Sequence, residues 1–169
     1  MKNIIFFLLL PVFASAQTVH VEKDRIIYKG MVKVGNLSSE ELFARAKQAI
    51  LNNVSGTMKE ISVDKNEKSA VTAKGTIKLA SPYYLKRTLE YTIWLQPGKG
   101  GYQYLIDSVY LKQVEQGEKT IKMPSGEILK GMESSGLVAT TTEKLLNEID
   151  MVFQKLIALI EKDMKKSSR

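Results

Sequence analysis

The stretch that decides the fold lies between residues 58 and 114, and its clearest part is 71–114, VTAKGTIKLASPYYLKRTLEYTIWLQPGKGGYQYLIDSVYLKQV. It predicts consecutive β-strands with no helix between them, preceded by a shorter strand at Met58–Val63. Between Val71 and Leu79, apolar residues or glycine occupy the odd positions, and threonine or lysine the even ones. This period of two predicts a strand with one buried face and one exposed face.

The next two strands of this stretch are longer. From Tyr83 to Leu95 the odd positions are apolar apart from Arg87, whereas the even positions are mostly polar. From Tyr102 to Val114 the apolar residues change parity along the segment. A β-bulge near 107–108, or burial on both faces, would explain that change.

The connections between these strands are short. They are a polar turn at 64–68, a break at 80–82 that contains Pro82, and a Gly/Pro loop at 96–101. Such turns predict antiparallel pairing, because parallel strands need a crossover of a dozen residues or more. A sheet with one polar face needs helices on its other face only.

Helices flank the strand series. A first strand at Ile26–Val34 precedes a helix that begins with Ser38 as N-cap and Glu41 at the third helical position, the spacing of a capping box. A second helix is predicted from Thr140 to Lys165, with an apolar stripe long enough to cross the sheet, roughly 35 Å. The fold class is therefore α+β, an antiparallel sheet of about five strands in the order β-α-β-β-β-β-α, with both helices on one face.

The ends of the chain lie outside this domain. Lys2, an apolar run and Ala14-Ser15-Ala16 predict a secretory signal peptide over 1–16. We expect 17–25 to be a flexible lead-in, 26–165 a single domain and 166–169 a basic tail. The chain has no cysteine, so a lipoprotein is excluded and the protein is expected to be exported, periplasmic or extracellular, without a transmembrane anchor after cleavage.

Several segments carry a family resemblance. They are Leu42–Lys47 in the first helix, Val63-Asp64 and Lys74-Gly75 in the middle strands, and Tyr102–Asp107 in the last strand. On these segments the chain resembles a secreted family of Bacteroidetes-type bacteria, a domain of unknown function with a TATA-binding-protein-like (TBP-like) fold. The resemblance implies this fold and export, over about 28–162, and implies no activity.

The residues offer little for catalysis. His20 is the only histidine, so a hydrolytic triad has no base in the predicted domain. No cluster of metal ligands, no phosphate-binding loop and no dinucleotide fingerprint is present in the sequence. We therefore expect no enzyme activity, no cofactor and no metal.

The exposed face of the sheet is the candidate site. On it we expect Tyr84, Lys86, Trp94, Lys74 and Lys78, aromatic and basic side chains that suit a protein or glycan partner. Trp94 could instead be tucked under the segment 116–136, which is predicted to be an irregular surface loop and a second candidate binding element. The oligomeric state and the partner's identity stay open.

Two other functions are open. The chain could carry an apolar small molecule between the sheet and the C-terminal helix. The second is nucleic-acid binding, which the net charge of +7 would favour. Removal of the signal peptide with Lys2 lowers this charge to +6. Export argues against nucleic acid, so a non-enzymatic module that binds a protein or glycan is the leading prediction.

Overall fold

A computed structural model describes residues 21–35, 37–55, 70–80, 85–98, 100–115, 120–131 and 136–166. The elements follow in chain order: β1 (Val21–Glu22), β2 (Arg25–Ile26), β3 (Tyr28–Lys33), α1 (Ser39–Asn53), β4 (Val71–Lys78), β5 (Leu85–Gly98), β6 (Gly101–Glu115), β7 (Thr120–Pro124), α2 (Ser125–Lys130) and α3 (Leu137–Lys165).

The main sheet has five strands, all paired antiparallel. Strand β5 lies between β4 and β6. The far edge of β6 is shared, because β3 pairs with its first half and β7 with its second half. The predicted α+β class and the antiparallel sheet of about five strands are confirmed.

A β-bulge interrupts the long pair β5–β6. Glu90 lies opposite Tyr110 and Thr92 opposite Asp107, so β6 carries one extra residue at this point. Ser108 there has φ 51°, the left-handed region. A bulge shifts the parity of every later side chain. It explains why Ile106 and then Val109 point inward, and the predicted bulge is confirmed.

Both long helices pack on the inward face of the sheet. α1 begins at the predicted N-cap, where the Ser38 hydroxyl accepts a hydrogen bond from the Glu41 amide at 3.1 Å. α3 begins three residues before the predicted Thr140, since Gly136 is its N-cap with φ 67°. Glycine adopts this conformation without a steric penalty, so the first turn extends back to Leu137.

An aromatic cluster lies where α3 crosses the sheet. The Phe153 ring packs 5.1 Å from the Tyr28 ring and 5.2 Å from the Tyr91 ring, the second pair edge to face. The Tyr28 hydroxyl donates a hydrogen bond of 3.0 Å to Asp150 Oδ1, and Asp150 is itself buried. Burial raises the pKa of Tyr28 above its usual range, with the Asp150 charge adding to the effect. The same cause raises the pKa of Tyr91 to about 12.

The prediction for 116–136 is wrong in its described part. Residues 120–124 form β7, and 125–130 form the short helix α2. The Ser125 hydroxyl is buried and accepts a hydrogen bond from the Ile26 amide at 3.2 Å. Turn-forming Pro124 and Gly126 mark the end of a strand and the start of a helix here, and not an irregular loop.

Two other expectations concern the edges of the fold. Residues 21–26 form a two-stranded ribbon, β1 with β2, in part of the expected lead-in. The strand predicted at Met58–Val63 and the signal peptide lie outside the described residues. β7 is a strand that the predicted series did not contain.

Asp163 joins the C-terminal ends of α1 and α3. Its Oδ2 accepts hydrogen bonds from Asn52 at 3.1 Å and Asn53 at 2.8 Å, and its Oδ1 is 2.5 Å from Lys166 Nζ. These contacts, the Lys166 hydrogen bond first, lower the pKa of Asp163 to about 2. A lowered carboxyl pKa stabilises the folded state above the unfolded pKa of about 4 and ceases to do so as pH falls towards 2.

We expect Asp163→Ala to lower the free energy of unfolding near pH 7 by about 1 kcal/mol, because solvent at this helix end screens the contacts. The difference from the unchanged chain should shrink between about pH 4 and pH 2. Denaturant unfolding across this range measures it. A difference that stays constant with pH would contradict the assignment to the ionised carboxylate.

Candidate binding face

One face of the sheet carries no helix in the described part of the chain. We call it the open face and define it by the side chains that point away from α1 and α3. None of these side chains is buried. They are Lys29, Met31 and Lys33 of β3, Thr72, Lys74, Thr76 and Lys78 of β4, Lys86, Thr88, Glu90, Thr92, Trp94 and Gln96 of β5, Gln103, Leu105, Asp107, Tyr110, Lys112 and Val114 of β6, and Thr120 and Lys122 of β7.

The strand register arranges these side chains in rows across the sheet. Trp94 stands between Thr72 on β4 and Leu105 on β6, on a central strand and in the second-to-last row of the open face. It is half-buried. The described part of 116–136 does not cover Trp94, because β7 pairs with residues 110–114 at the other end of β6.

The basic charge of the open face exceeds its acidic charge. Seven lysines point outward, on all five strands, against two carboxylates, Glu90 and Asp107. Five of the lysines lie on the flanking strands β3, β4 and β7. The other two, Lys86 and Lys112, lie towards one end of the central strands β5 and β6. The two carboxylates lie on the central strands, in neighbouring rows.

A cleft of about 450 Å³ opens on this face at the bulge. In it, Lys122 Nζ lies 2.6 Å from Glu90 Oε2 and 4.5 Å from the centre of the Tyr110 ring. Lys74, Thr76, Thr92 and Ser108 add to the polar lining. Ammonium, carboxylate and hydroxyl groups thus meet in one shallow site, which can form hydrogen bonds to a ligand with mixed polar groups.

The predicted site residues share this face where they are described. Lys74, Lys78, Lys86 and Trp94 all point outward, and Lys74 lines the cleft. Tyr84 lies outside the described residues. Sequence reasoning missed Lys122, although Thr120–Pro124 alternates polar and apolar residues and this alternation would have indicated β7.

A second cleft, of about 630 Å³, lies between the first turn of α1 and the ends of β5 and β6. Phe43, Pro97 and Tyr102 line it together with Met31, which is 63% exposed. The alternative function, carriage of an apolar small molecule, needs space between the sheet and α3. Where α3 crosses the sheet, the aromatic cluster around Phe153 occupies that space.

Other kinds of site find little support in the described ranges. There, no three His, Asp or Glu side chains come together in a group that could hold a metal ion. None of the described helices is long and apolar enough to cross a membrane.

Comparison with protein-family models identifies the family of the chain. The model of a domain of unknown function with a TBP-like fold, DUF4468, matches residues 28–112, half of the sequence. The chain belongs to the DUF4468 family. The match covers β3 to Lys112, near the end of β6, and so includes most of the open face.

Solved structures resemble this DUF4468 chain in fold. A TBP-like protein from Parabacteroides distasonis superposes with a TM-score of 0.71 at 13% identity, over 89% of this chain and 99% of that one. A DUF4468 family protein from Bacteroides ovatus gives a TM-score of 0.62 at 9% identity, over 88% and 91%. A search of curated proteins found no significant match.

Proposed function

We propose that this DUF4468 chain is an exported, non-enzymatic binding module that recognises a protein or glycan through the open face. The observation that carries the proposal is the composition of that face: among the described residues no helix lies over it, and seven lysines and the half-buried Trp94 point outward. The strands of an antiparallel sheet offer a partner a broad, rigid surface. Tryptophan contributes much of the affinity of such surfaces, because its large ring is ordered at little entropic cost.

The position of segment 116–136 supports a single binding surface. The sequence predicts segment 116–136 as a binding loop separate from the sheet face. Its strand β7 extends the sheet and contributes Lys122 to the cleft beside Glu90. A partner on the open face would therefore contact both elements at once.

The test is a capture experiment with the chain from Gln17 immobilised and envelope material as the source of partners. The variant carries Trp94→Ala and Lys74→Gln, and the control carries Lys155→Gln and Lys162→Gln on the exposed side of α3. We expect the first variant to retain the partner about 30-fold less well, since truncation of a tryptophan that anchors an interface costs at least about 2 kcal/mol. The control should retain it fully.

Folding must be equal in all three proteins, which thermal unfolding checks. Equal capture by the unchanged chain and the Trp94→Ala, Lys74→Gln variant would contradict the assignment of binding to the open face.

A further inference from the structure

We propose that the open face binds an acidic oligosaccharide, with the acid groups on the lysines and the sugar hydroxyls on Glu90 and Asp107. This inference rests on the proposed function and names the ligand class of that same face. It starts from the positions of the two carboxylates. A surface selected only for positive charge has no use for carboxylates, yet both stand on the central strands, beside the bulge.

The carboxylates distinguish between kinds of anionic ligand. Duplex DNA and acidic peptides present repeated negative charges but few free hydroxyl groups, so Glu90 and Asp107 would repel them and receive no hydrogen bonds in return. Sugar hydroxyls instead donate hydrogen bonds, and an ionised carboxylate is a strong acceptor for them. A ligand with hydroxyl and acid groups on the same sugar units can donate hydrogen bonds to the two carboxylates and place its acid groups on the lysines.

The cleft at the bulge shows the same mixture at short range. Lys122 is held by Glu90 at 2.6 Å and lies over the Tyr110 ring, so its charge is already partly compensated. Lys74 on the opposite wall is exposed and has no ion pair with any described residue. A ligand carboxylate would therefore bind Lys74, while its hydroxyls reach Thr92, Ser108 and the second oxygen of Glu90.

The length of the site favours an oligomer over a single sugar. Trp94 lies four residues from Glu90 along β5, which corresponds to about 13 Å in a strand. The Trp94–Leu105 pair and the cleft are thus two contact points on one line along the central strands. An extended chain of several sugar units can cover both, with one ring against Trp94.

Trp94 also provides the readout, because it is the only tryptophan in the chain. Its fluorescence can be titrated with a short oligogalacturonate, a neutral cello-oligosaccharide of equal length, a polyglutamate peptide and a duplex DNA oligonucleotide. We expect saturable binding of oligogalacturonate, with the neutral oligomer at least about tenfold weaker because it lacks charge-assisted hydrogen bonds to lysine. Lys74→Gln should weaken binding of oligogalacturonate, and Lys155→Gln on α3 should not.

The decisive variants are Glu90→Gln and Asp107→Asn, with Glu143→Gln on α3 as the matched control. Loss of a charged hydrogen-bond acceptor should weaken oligogalacturonate binding by about tenfold. For DNA or polyglutamate the same substitutions remove repulsion and should strengthen binding. The sign of the change therefore separates an oligosaccharide site from a general polyanion site.

Several outcomes overturn the inference. They are stronger oligogalacturonate binding after Glu90→Gln, equal affinity for the neutral oligomer, or tighter binding of DNA or polyglutamate than of the saccharide. If no saccharide binds but Trp94→Ala with Lys74→Gln still abolishes capture from envelope material, the inference fails and the proposed function stands. If no saccharide binds and the Trp94→Ala, Lys74→Gln variant still captures the partner fully, the inference and the proposed function both fail.

Discussion

Phe153→Ala should lower the free energy of unfolding by about 3–5 kcal/mol, the range observed when a buried phenylalanine is truncated. The Phe153 side chain is fully buried, and its ring contacts Tyr28 and Tyr91 from two strands that are not neighbours in the sheet. Truncation would leave a cavity between α3 and the sheet and remove both aromatic contacts. Because domains of this size have a total stability of about 5–15 kcal/mol, this loss is a large part of it.

Thermal and denaturant unfolding measure the effect. A fall of roughly 10–15 °C in Tm corresponds to this loss for a domain of this length. The matched control is Met151→Ala on the same helix, at a side chain that is 58% exposed, and its effect should stay within about 0.5 kcal/mol. A cost below about 1 kcal/mol for Phe153→Ala would mean that α3 is not anchored through this ring.

The sheet and its two faces could be predicted because strand parity is a local property. Each residue's face follows from its neighbours two positions away, so Lys74, Lys78, Lys86 and Trp94 were assigned to one surface without any knowledge of pairing. The bulge was also predictable, since the apolar residues change parity at Asp107 and Ser108.

The cleft could not be predicted, because it depends on register between distant segments. Glu90 and Lys122 are 32 residues apart and meet only when β7 pairs with the second half of β6. The odd or even position of a residue in a strand determines which face of the sheet its side chain occupies. It does not determine which residues of the neighbouring strands lie beside it. In the segment of β7 itself, the nearby glycine and proline residues favoured the prediction of a loop. The short alternation of polar and apolar residues that indicates a strand was given less weight. The same limit hid the buried Tyr28–Asp150 hydrogen bond, which joins residues 122 apart.

Gly75→Ala should also be strongly destabilising, by about 1–3 kcal/mol, as is usual when a tightly packed core receives an extra methyl group. Gly75 pairs with Tyr91 across β4 and β5, and the Tyr91 ring lies over it. A Cβ at this position would be 2.4 Å from Tyr91 Cζ and 2.8 Å from a Val54 methyl. The ring would have to leave its place, and with it the edge-to-face contact to Phe153.

The cause can be separated from a general intolerance of alanine by repeating the substitution in a Tyr91→Ala background. With the ring gone, the main clash is gone, and the lower backbone entropy of unfolded alanine favours the variant. We therefore expect Gly75→Ala to cost less there than in the unchanged chain, by a coupling energy of about 0.5–3 kcal/mol measured from denaturant unfolding. Gly98→Ala, where an added Cβ meets nothing within 4 Å, should be close to neutral. Equal costs in both backgrounds would show that the close approach of Val54, and not the Tyr91 ring, requires glycine at this position. A reduced cost would tie the glycine of β4 directly to the aromatic cluster that packs against α3.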